Sequence, residues 1–375
     1  MAAIFIFIWL FASVLSISST SSPLLINGST ADAAPDCGTG NPIDDCWRCD
    51  PGWADNRQRL ADCAVGFGRR AVGGKGGRVY VVNDTGDDAA RPAPGTLRYG
   101  LVQDEPLWIV FAGDMTISPA HELVVSSRKT VDGRGARVVV GDGGACFAVR
   151  GASDVVIHGL TIRRCRPAPK LEAGMSDGDG VGVHNSSDVW VDHCTVEACA
   201  DGLIDVVVGS TRVTLSNNLL RNHDKAILLG HNDDYTDDKA MQVTVAFNRF
   251  GPGLVQRMPR CRFGLFHVIN NDYIAWQKYA IGGSASPTII SHGNRFYADM
   301  AKEVTKRDDD VPESVWHHWN WVSDGDLMLN GAFFRASGEA RTDNLKAPSF
   351  ARSAPSVPSM TSSAGALSCK EGSHC

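Results

Sequence analysis

A short alternation of apolar and polar residues recurs through the middle of the chain. The copies start at Val155, Val189, Val213, Val243, Phe266 and Ile289. Apolar residues at every second position predict a β-strand in each copy. Equivalent positions, from Leu160 in the first copy to Asn294 in the last, lie 34, 24, 30, 23 and 23 residues apart. Repeats of this size indicate a solenoid, in which each turn buries its apolar face only against its neighbours.

Four consecutive copies place an asparagine directly after the strand. These residues are Asn218, Asn248, Asn271 and Asn294. An asparagine in a bend tolerates left-handed backbone angles, and amides stacked along the solenoid axis can donate and accept hydrogen bonds as a ladder. We therefore predict that these residues are structural. The predicted fold is all-β, a right-handed parallel β-helix (a single-stranded solenoid) that runs from about Cys46 to Gly338.

One helix is predicted near the start of the solenoid. Leu60, Cys63 and Ala64 share one face of a helix over residues 56–65, and we expect this N-terminal helix to cap the first turn, which otherwise exposes strand edges. An α/β barrel would need amphipathic helices between its strands. The segment from Asn218 to Val243 has no such periodicity, so a barrel is excluded.

The two ends of the chain differ in composition from the solenoid. Ile4 to Ile17 is an almost unbroken apolar run, which predicts a cleaved secretory signal peptide over residues 1–22, with an uncleaved anchor as the alternative. Residues 23–45 are then an N-terminal extension and residues 46–338 the solenoid domain. Residues 339–375 form a tail rich in Ser, Pro and Ala, which we expect Cys369 or Cys375 to tie down.

The charge balance and the cysteines narrow the class of protein. Lys and Arg number 36 against 42 Asp and Glu, a net charge of -6, so overall charge does not drive this chain onto nucleic acid or an anionic membrane. The 11 cysteines fit disulfide bonds in a secreted chain, and the odd number leaves at least one thiol without an intramolecular partner. Cys46-x-x-Cys49 is interpreted as structural disulfide chemistry rather than as a zinc or redox site.

Four aspartates form a candidate metal site. Asp177 and Asp179 lie in a loop that leads into a strand, and Asp201 and Asp205 lie about one coil further along the chain. Carboxylates stacked on adjacent coils repel each other unless a cation holds them, and oxygen ligands without His or Cys favour Ca²⁺. For any single aspartate in such a loop, a surface turn is the alternative interpretation.

A positive strip follows the aspartates. Arg257, Arg260 and Arg262 lie in a stretch that has no acidic residue, and Lys225 lies one coil earlier. Guanidinium groups are suited to binding carboxylates, so this strip and the proposed calcium site together suit an acidic polymer, a uronate polysaccharide above all. A solvated charged face is the alternative.

Two other features of the sequence are not assigned a catalytic role. His193, in VWVDHC, is interpreted as a hydrogen-bonding residue at the edge of the core rather than as a general base. The aromatic cluster from Trp316 to Trp321 either packs a loop against the coils or stacks on a sugar, and the sequence leaves both interpretations open.

Four long stretches of the sequence are idiosyncratic enough to identify a family. They are SDGDGVGVHNSSDVWVDHC, DGLIDVVVGSTRVTLSNN, DKAMQVTVAFNRFGPGLVQRMPRCRFG and YAIGGSASPTI. Over nearly all of the chain from Asn41 to Cys369, the sequence resembles plant pectate lyases of polysaccharide lyase family 1, which include pollen allergens. The resemblance implies a right-handed parallel β-helix and calcium-dependent β-elimination of de-esterified homogalacturonan in the plant cell wall. The products would carry 4-deoxy-α-D-galact-4-enuronosyl ends.

Carried over position by position, the resemblance implies metal ligands. Asp177, Asp201 and Asp205 match the calcium ligands of the family, and Asp179 matches a further acidic ligand of bacterial relatives.

The resemblance also implies catalytic and substrate-binding residues. Arg257 matches the catalytic arginine, and Lys225 and Arg262 match residues that hold the substrate carboxylate. The sequence departs from the family pattern at Gly182 and His184, which bears on local packing. We expect a secreted monomer that binds polygalacturonate, without a membrane segment in the mature form and without a nucleic-acid partner.

Two other functions are alternatives to the lyase. A pectin hydrolase on the same scaffold would cut with a carboxylate pair and without calcium, but the NTD and RIK motifs of polygalacturonases are absent from the sequence. A non-catalytic pectin-binding wall protein would retain the fold without needing Arg257. The intact set of aspartates together with Arg257 argues against it.

Overall fold

Parallel strands stack coil upon coil along one axis. The computed structural model describes residues 37–170, 174–339 and 350–375. The predicted signal peptide and residues 23–36 of the predicted extension lie outside this part of the chain. The strands form a right-handed parallel β-helix, which confirms the predicted fold class.

The strands belong to three main sheets, and most coils contribute one strand to each sheet. In spatial order, the ten-stranded sheet contains Arg78–Val82, Leu107–Phe111, Lys129–Asp132, Ser153–His158, Ser187–Asp192, Thr211–Ser216, Gln242–Ala246, Leu265–Ile269, Thr288–His292 and Trp321–Asp324. The eight-stranded sheet contains Leu123–Val125, Phe147–Arg150, Val181–His184, Ile204–Val207, Ile227–Leu229, Arg260–Arg262, Ile281–Ser284 and Thr305–Arg307. The nine-stranded sheet contains Met115–Ile117, Val138–Gly141, Thr161–Arg163, Thr195–Glu197, Leu219–Arg221, Arg249–Phe250, Asp272–Ile274, Arg295–Tyr297 and Leu327–Leu329. A separate parallel pair joins His223–Lys225 to Leu254–Gln256.

Helices are short throughout the described residues. The α-helices span Pro42–Trp47, Leu97–Leu101, Glu313–Trp316 and Val357–Met360. The 3-10 helices span Arg57–Cys63, Thr236–Ala240 and Ala354–Ser356. Nowhere in these parts of the chain does a helix have the length and apolar character needed to cross a bilayer.

Stacked apolar side chains fill the interior of the solenoid. Val155, Val189, Val213 and Val243 occupy equivalent positions in consecutive coils of the ten-stranded sheet, and all four are fully buried. β-Branched side chains suit a pleated, packed surface. Burying one such side chain contributes roughly 1.5–3 kcal/mol, so each coil is stabilised mainly by its two neighbours.

The predicted asparagine ladder runs through the turn between the ten-stranded and nine-stranded sheets. The side-chain amides of Asn218, Asn248 and Asn271 each donate to the Oδ1 atom of the next asparagine, at 3.0, 2.9 and 2.9 Å. The last of the series, Asn294, donates to the carboxylate of Asp326. The asparagines are fully buried, and the ladder satisfies their polar groups without water. Their predicted structural role is confirmed.

The left-handed backbone angles fall one residue before the ladder positions, not on them as expected. The φ angles are 48° at His193, 53° at Asn217, 56° at Phe247 and 50° at Asn270. The chain needs one left-handed residue to turn the corner between two sheets. The ladder asparagine follows this corner, where its side chain can run along the solenoid axis.

The helix predicted over residues 56–65 has a different form and place. It is the 3-10 helix Arg57–Cys63, and its buried Leu60 packs on the outer face of the ten-stranded sheet. The start of the solenoid is covered instead by the helix Leu97–Leu101, which contacts the first strands of two sheets and adds both terminal leucines to the main core. The apolar residues from which a capping helix was predicted therefore belong to a 3-10 helix that packs on the ten-stranded sheet. The helix Leu97–Leu101 forms the N-terminal cap instead.

Both ends of the described chain pack on the outer face of the ten-stranded sheet. Trp47 and Leu60 come from the N-terminal side, Val357 and Met360 come from the C-terminal side, and all four pack in one cluster with Trp190. The middle of this sheet is therefore buried on both faces, as is usual for a parallel sheet, whereas the first strand exposes Val79 and Val81. Residues 37–45 and 350–375 belong to the same compact unit as the solenoid.

A buried polar network joins these ends to the solenoid. The Nε2 atom of His193 lies 2.8 Å from Asp44 Oδ1, and its Nδ1 atom lies 3.1 Å from the carbonyl oxygen of Gly365. The neighbouring His158 lies 2.9 Å from Asp192. Burial alone would lower the pKa of His193, but the carboxylates of Asp44 and Asp192 outweigh burial and raise it. His193 is a structural residue, as its sequence context predicts.

Disulfide bonds hold the N-terminal segment, one coil and the tail. The pairs are Cys37–Cys49, Cys46–Cys63, Cys146–Cys165 and Cys369–Cys375. Both cysteines of the Cys46-x-x-Cys49 motif form disulfides, as predicted. Cys369 and Cys375 pair with each other, so apolar packing and hydrogen bonds, and not a disulfide bridge to the solenoid, hold the tail. The unpaired thiols Cys194, Cys199 and Cys261 are buried.

The aromatic cluster closes the C-terminal end of the core. Trp316, Trp319 and Trp321 are buried within it. The guanidinium carbon of Arg307 lies 4.4 Å from the ring centre of Trp316 and 4.1 Å from that of Trp321. The cluster is therefore packing for the end of the solenoid rather than an open sugar platform.

Replacing Asn248 with alanine should destabilise the solenoid. The change removes the acceptor of the Asn218 backbone N–H and side-chain amide, and the donor to the Leu215 carbonyl. A buried polar group left without a partner costs about 1–3 kcal/mol, so we expect the free energy of unfolding to fall by about 3–6 kcal/mol in a urea titration with disulfides intact.

Asn56→Ala is the matched control for this prediction. Asn56 is exposed and makes no capping hydrogen bond with its side chain, so the free energy of unfolding should change by less than about 0.5 kcal/mol. A loss for Asn248→Ala no larger than that of the control would contradict a stabilising ladder.

Candidate active site

The outer face of the eight-stranded sheet brings the predicted site residues together. Asp205 pairs with Gly182 in the preceding coil and with Leu228 in the following coil, and Leu228 pairs with Arg260. The neighbouring Ile204 is part of the main core, so Asp205 lies on the opposite, outer face. Strands in a sheet are roughly 4.8 Å apart. The register therefore places acidic and basic residues from successive coils within a few ångströms of one another.

Three aspartates form a compact carboxylate group. One carboxylate oxygen from each of Asp179, Asp201 and Asp205 lies within 4.8 Å of the others. Burial, together with the negative charges of Asp201 and Asp177, raises the pKa of Asp179 to about 6. Burial, and then the charges of Asp179 and Asp201, raise the pKa of Asp205 well above its ordinary value. Oxygen donors that repel one another in this way suit a hard divalent cation.

Glycine and lysine complete the surroundings of this group. The backbone N–H of Gly202 donates to Asp179 Oδ1 at 2.7 Å. A Cβ atom at Gly202 would lie 2.2 Å from Asp205 Oδ1, so only glycine leaves room for that carboxylate. The Lys225 ammonium group contacts the carboxylate of Asp201 and compensates one of the negative charges.

Asp177 lies outside the group of three. It is exposed, and its carboxylate is not among the oxygens that lie within 4.8 Å of one another. Its negative charge nevertheless contributes to the raised pKa of Asp179, which places it at the rim. Of the four aspartates predicted as ligands, the structure therefore brings three into one group and leaves Asp177 beside it.

Arg257 has an unusual backbone. Lys225 pairs with Gln256, whereas Leu228 pairs with Arg260, so the later coil contains one extra residue, as at a β-bulge. The φ angle of Arg257 is 64°. Left-handed angles at non-glycine residues cost energy and concentrate at functional sites.

The Arg257 side chain faces the carboxylate group. Its positive charge lowers the pKa of Asp205, against the larger effect of burial. Among the described residues, its guanidinium group has no hydrogen-bond or ion-pair partner, in contrast to the other cations nearby.

The other two arginines of the strip are paired with carboxylates. Arg262 Nε lies 2.7 Å from Asp233 Oδ1, which also accepts a hydrogen bond from Ser284. Arg260 binds both carboxylate oxygens of Asp308, at 2.9 and 2.7 Å. Sequence reasoning missed these two acidic partners because they lie in loops 29 and 48 residues away along the chain.

Gly182 and His184, where the sequence departs from the family pattern, pack against each other. A Cβ atom at Gly182 would lie 2.7 Å from His184 Nε2, so the imidazole occupies the space that a side chain at residue 182 would fill. Burial lowers the pKa of His184 to about 4, with smaller contributions from nearby positive charges. The imidazole is therefore neutral at physiological pH.

Comparison with known proteins gives three concordant results. A family model described as pectate lyase matches residues 115–314. A protein named pectate lyase from Zinnia elegans is 57% identical over 355 residues, which cover 90% of this chain and 88% of the relative. Probable pectate lyase 5 from Arabidopsis thaliana is 56% identical over 355 residues and covers 90% of this chain and 86% of the relative.

Comparison with solved structures shows the same fold in related proteins. Jun a 1, the major allergen from cedar pollen, is 46% identical in sequence to this chain. Its crystal structure matches with a TM-score of 0.85, and the match covers 87% of this chain and 99% of that chain. Pectate lyase II from Xanthomonas campestris, at 20% identity and a TM-score of 0.54 over 81% of this chain and 98% of that chain, shares the fold. The resemblance inferred from the sequence is confirmed, and the chain belongs to the pectate lyase family.

Proposed function

We propose that this protein is a calcium-dependent pectate lyase that cleaves de-esterified homogalacturonan by β-elimination. The observation that carries the proposal is the group formed by Asp179, Asp201 and Asp205 beside the unpartnered guanidinium group of Arg257. Family membership supports the reaction class, and the geometry supports the assignment of these residues.

The carboxylate group is suited to calcium. All its donors are oxygen atoms, two of its pKa values are raised by burial and mutual repulsion, and a divalent cation would relieve that repulsion. We assign Asp179, Asp201 and Asp205 as ligands, with Asp177 at the rim as the fourth. When bound, calcium supplies positive charge that attracts the uronate carboxylate and stabilises negative charge developing next to it.

Lys225 and Arg262 are assigned to hold the substrate carboxylate. Lys225 contacts Asp201. With a cation bound by Asp201, the Lys225 ammonium group would be free to bind the substrate carboxylate. Arg262 is oriented by Asp233 and by the carbonyl oxygens of Gly230 and His231, at 3.0 and 3.2 Å. A guanidinium group fixed in this way can bind a carboxylate with little loss of side-chain entropy.

Arg257 is assigned as the base. It removes the proton from C5 of the uronate, the electrons of that bond form the C4–C5 double bond, and the bond from C4 to the glycosidic oxygen breaks. The departing oxygen takes a proton from water. A guanidinium group has no lone pair to accept a proton, so Arg257 can act as the base only in its neutral form.

We further propose that the protein acts outside the cell, in the plant cell wall. The apolar run from Ile4 to Ile17 supports secretion, although it lies outside the described residues. The four disulfide bonds fit an oxidising compartment. A monomeric mature form without a membrane anchor or a nucleic-acid partner stays a prediction.

Polygalacturonate incubated with the mature protein should gain ultraviolet absorbance from unsaturated ends. The increase in absorbance should require calcium and disappear with a chelator. Without calcium, the site lacks the positive charge that attracts the uronate carboxylate. New reducing ends without absorbance would indicate hydrolysis and contradict the lyase. If folded protein produces neither ultraviolet absorbance nor new reducing ends, a non-catalytic pectin-binding role is favoured.

Arg257→Lys should remove turnover while substrate still binds. Lysine keeps the positive charge but loses the guanidinium geometry, and loss of a positioned base lowers kcat by about 10²–10⁴-fold. Initial rates on polygalacturonate, with binding followed by calorimetry, measure both effects. Arg249→Lys, on the nine-stranded sheet, is the matched control and should retain wild-type turnover. A similar kcat for both variants would refute the role of Arg257.

Calcium should stabilise the protein more at pH 8 than at pH 5. Because the pKa of Asp179 is raised to about 6, metal-free protein loses stability as pH rises from the ordinary pKa near 4 through 6 and this carboxylate becomes charged. Below pH 6 calcium must displace a proton. At 100 times its Kd, calcium adds about 2.7 kcal/mol to the free energy of unfolding.

Thermal unfolding at both pH values, with calcium or with chelator, checks this prediction. Asp179→Asn should remove most of the difference between the two pH values, whereas Asp55→Asn, an exposed aspartate far along the chain, should leave it intact. Equal calcium shifts of Tm at pH 5 and pH 8 would exclude the carboxylate group as the calcium site.

A further inference from the structure

The peptide group that joins Asp201 to Gly202 is held from both sides. Its N–H group donates to Asp179 Oδ1 at 2.7 Å, and its carbonyl oxygen, which belongs to Asp201, contacts the Nε2 atom of His223. In a trans peptide the C=O and N–H bonds point in opposite directions. One planar unit therefore lies between the carboxylate of Asp179 and the imidazole of His223.

His223 donates the hydrogen bond in this contact. A carbonyl oxygen only accepts hydrogen bonds, so the Nε2 atom of the half-buried ring carries the proton. The strand His223–Lys225 pairs with Leu254–Gln256, and the backbone N–H of His223 donates to the Gly253 carbonyl at 3.0 Å. The backbone of His223 is thus fixed independently of the aspartates.

Gly202 makes the held peptide group easy to rotate. A Cβ atom at this residue would lie 2.2 Å from Asp205 Oδ1, so the position requires glycine. Glycine restricts its own backbone less than any other residue, and the peptide group in front of it can therefore rotate at low cost. A rotated group would turn a carbonyl oxygen, instead of the N–H, towards Asp179. Two acceptor oxygens form no hydrogen bond and repel each other, so the carboxylate group would spread apart.

The contact of Lys225 with Asp201 does not replace this anchor. The Lys225 ammonium group contacts the carboxylate of Asp201, which is the part of the residue that we assign as a metal ligand. His223 contacts the backbone carbonyl of Asp201 instead. It can keep this contact while the carboxylate binds a cation.

We infer that His223 is a positioning residue for the calcium site. By donating to the Asp201 carbonyl oxygen, it fixes the peptide group between Asp201 and Gly202 and thereby keeps Asp179, Asp201 and Asp205 close together. The inference rests on the proposed function for the identity of the cation. His223 is not itself a ligand, and residues that orient metal ligands typically contribute about 10–100-fold to metal affinity.

His223→Phe should raise the Kd for calcium by about 10–100-fold, because phenylalanine keeps a ring but lacks the donor. Calorimetric titration of the metal-free protein with calcium measures the Kd. The calcium concentration that gives half-maximal lyase rate should rise by the same factor. His223→Gln should restore most of the affinity, since its side-chain amide supplies an N–H donor, whereas a loss caused by altered ring packing would not be restored. His374→Phe, at an exposed histidine of the tail, is the matched control.

Hydrogen exchange in the metal-free protein separates this inference from the proposed function. The Gly202 amide should lose protection in His223→Phe and keep it in His223→Gln. If wild type binds no calcium, the proposed calcium site fails, and exchange at Gly202 still decides whether His223 holds this peptide group. Equal protection in wild type and His223→Phe would overturn the inference.

If wild type binds calcium, the titrations also decide the inference. An unchanged Kd in His223→Phe, or an equal loss of affinity in His223→Phe and His223→Gln, would overturn the role of His223 and leave the calcium site intact.

Discussion

The hydrogen-bonded register between neighbouring coils determines where every outward side chain of this solenoid lies. Each strand pairs in parallel with one strand before it and one after it, so equivalent residues form columns. Inside, such columns are apolar, as with Val155, Val189 and Val213. Outside, the same rule stacks ionisable groups, and Asp205 stands two coils from Arg260 in one column.

Compensation of these charges explains the layout of the site. At the acidic end, burial and then repulsion between neighbouring carboxylates raise the pKa values of Asp179 and Asp205. Oxygen donors arranged in this way suit a divalent cation. The basic end is largely neutralised by Asp233 and Asp308 from loops. Arg257 lies between the two ends, on a backbone bulge that separates it from the regular column.

The sequence predicts most clearly what repeats. Period-two alternation reveals the strands, and the repeated asparagines reveal the ladder, because both depend on contacts between equivalent positions. Single, non-repeating contacts were not predictable. The pairing of Arg262 with Asp233 depends on how one loop folds back, and the cap at Leu97–Leu101 was missed because a five-residue helix has too little periodicity to recognise. The left-handed residue before each ladder asparagine follows from the sharp corner, which sequence spacing does not reveal.

Coil spacing and composition indicated a metal site at the aspartates and a carboxylate-binding strip at the arginines. The family resemblance then added individual roles, such as that of Arg257 as the base. It could not show that Gly202 leaves space for the Asp205 carboxylate, or that His184 fills the space beside Gly182. Both contacts depend on side-chain positions to within an ångström. Asp177 illustrates the same limit, because its spacing resembles that of a ligand while its side chain lies at the rim.

The asparagine ladder also bears on how this scaffold tolerates insertions. Three successive ladder spacings are 30, 23 and 23 residues, yet the amide-to-amide distances stay at 2.9–3.0 Å. The extra residues of the longest spacing lie in connecting segments, which include the 3-10 helix Thr236–Ala240, and they leave the stacked interior unchanged. Since Asp233 lies in such a loop, the length of that loop can change the carboxylate partner of Arg262 without a change in the strands beneath it. The charges around Arg262 and the stability of the stacked interior thus depend on largely separate segments of one chain.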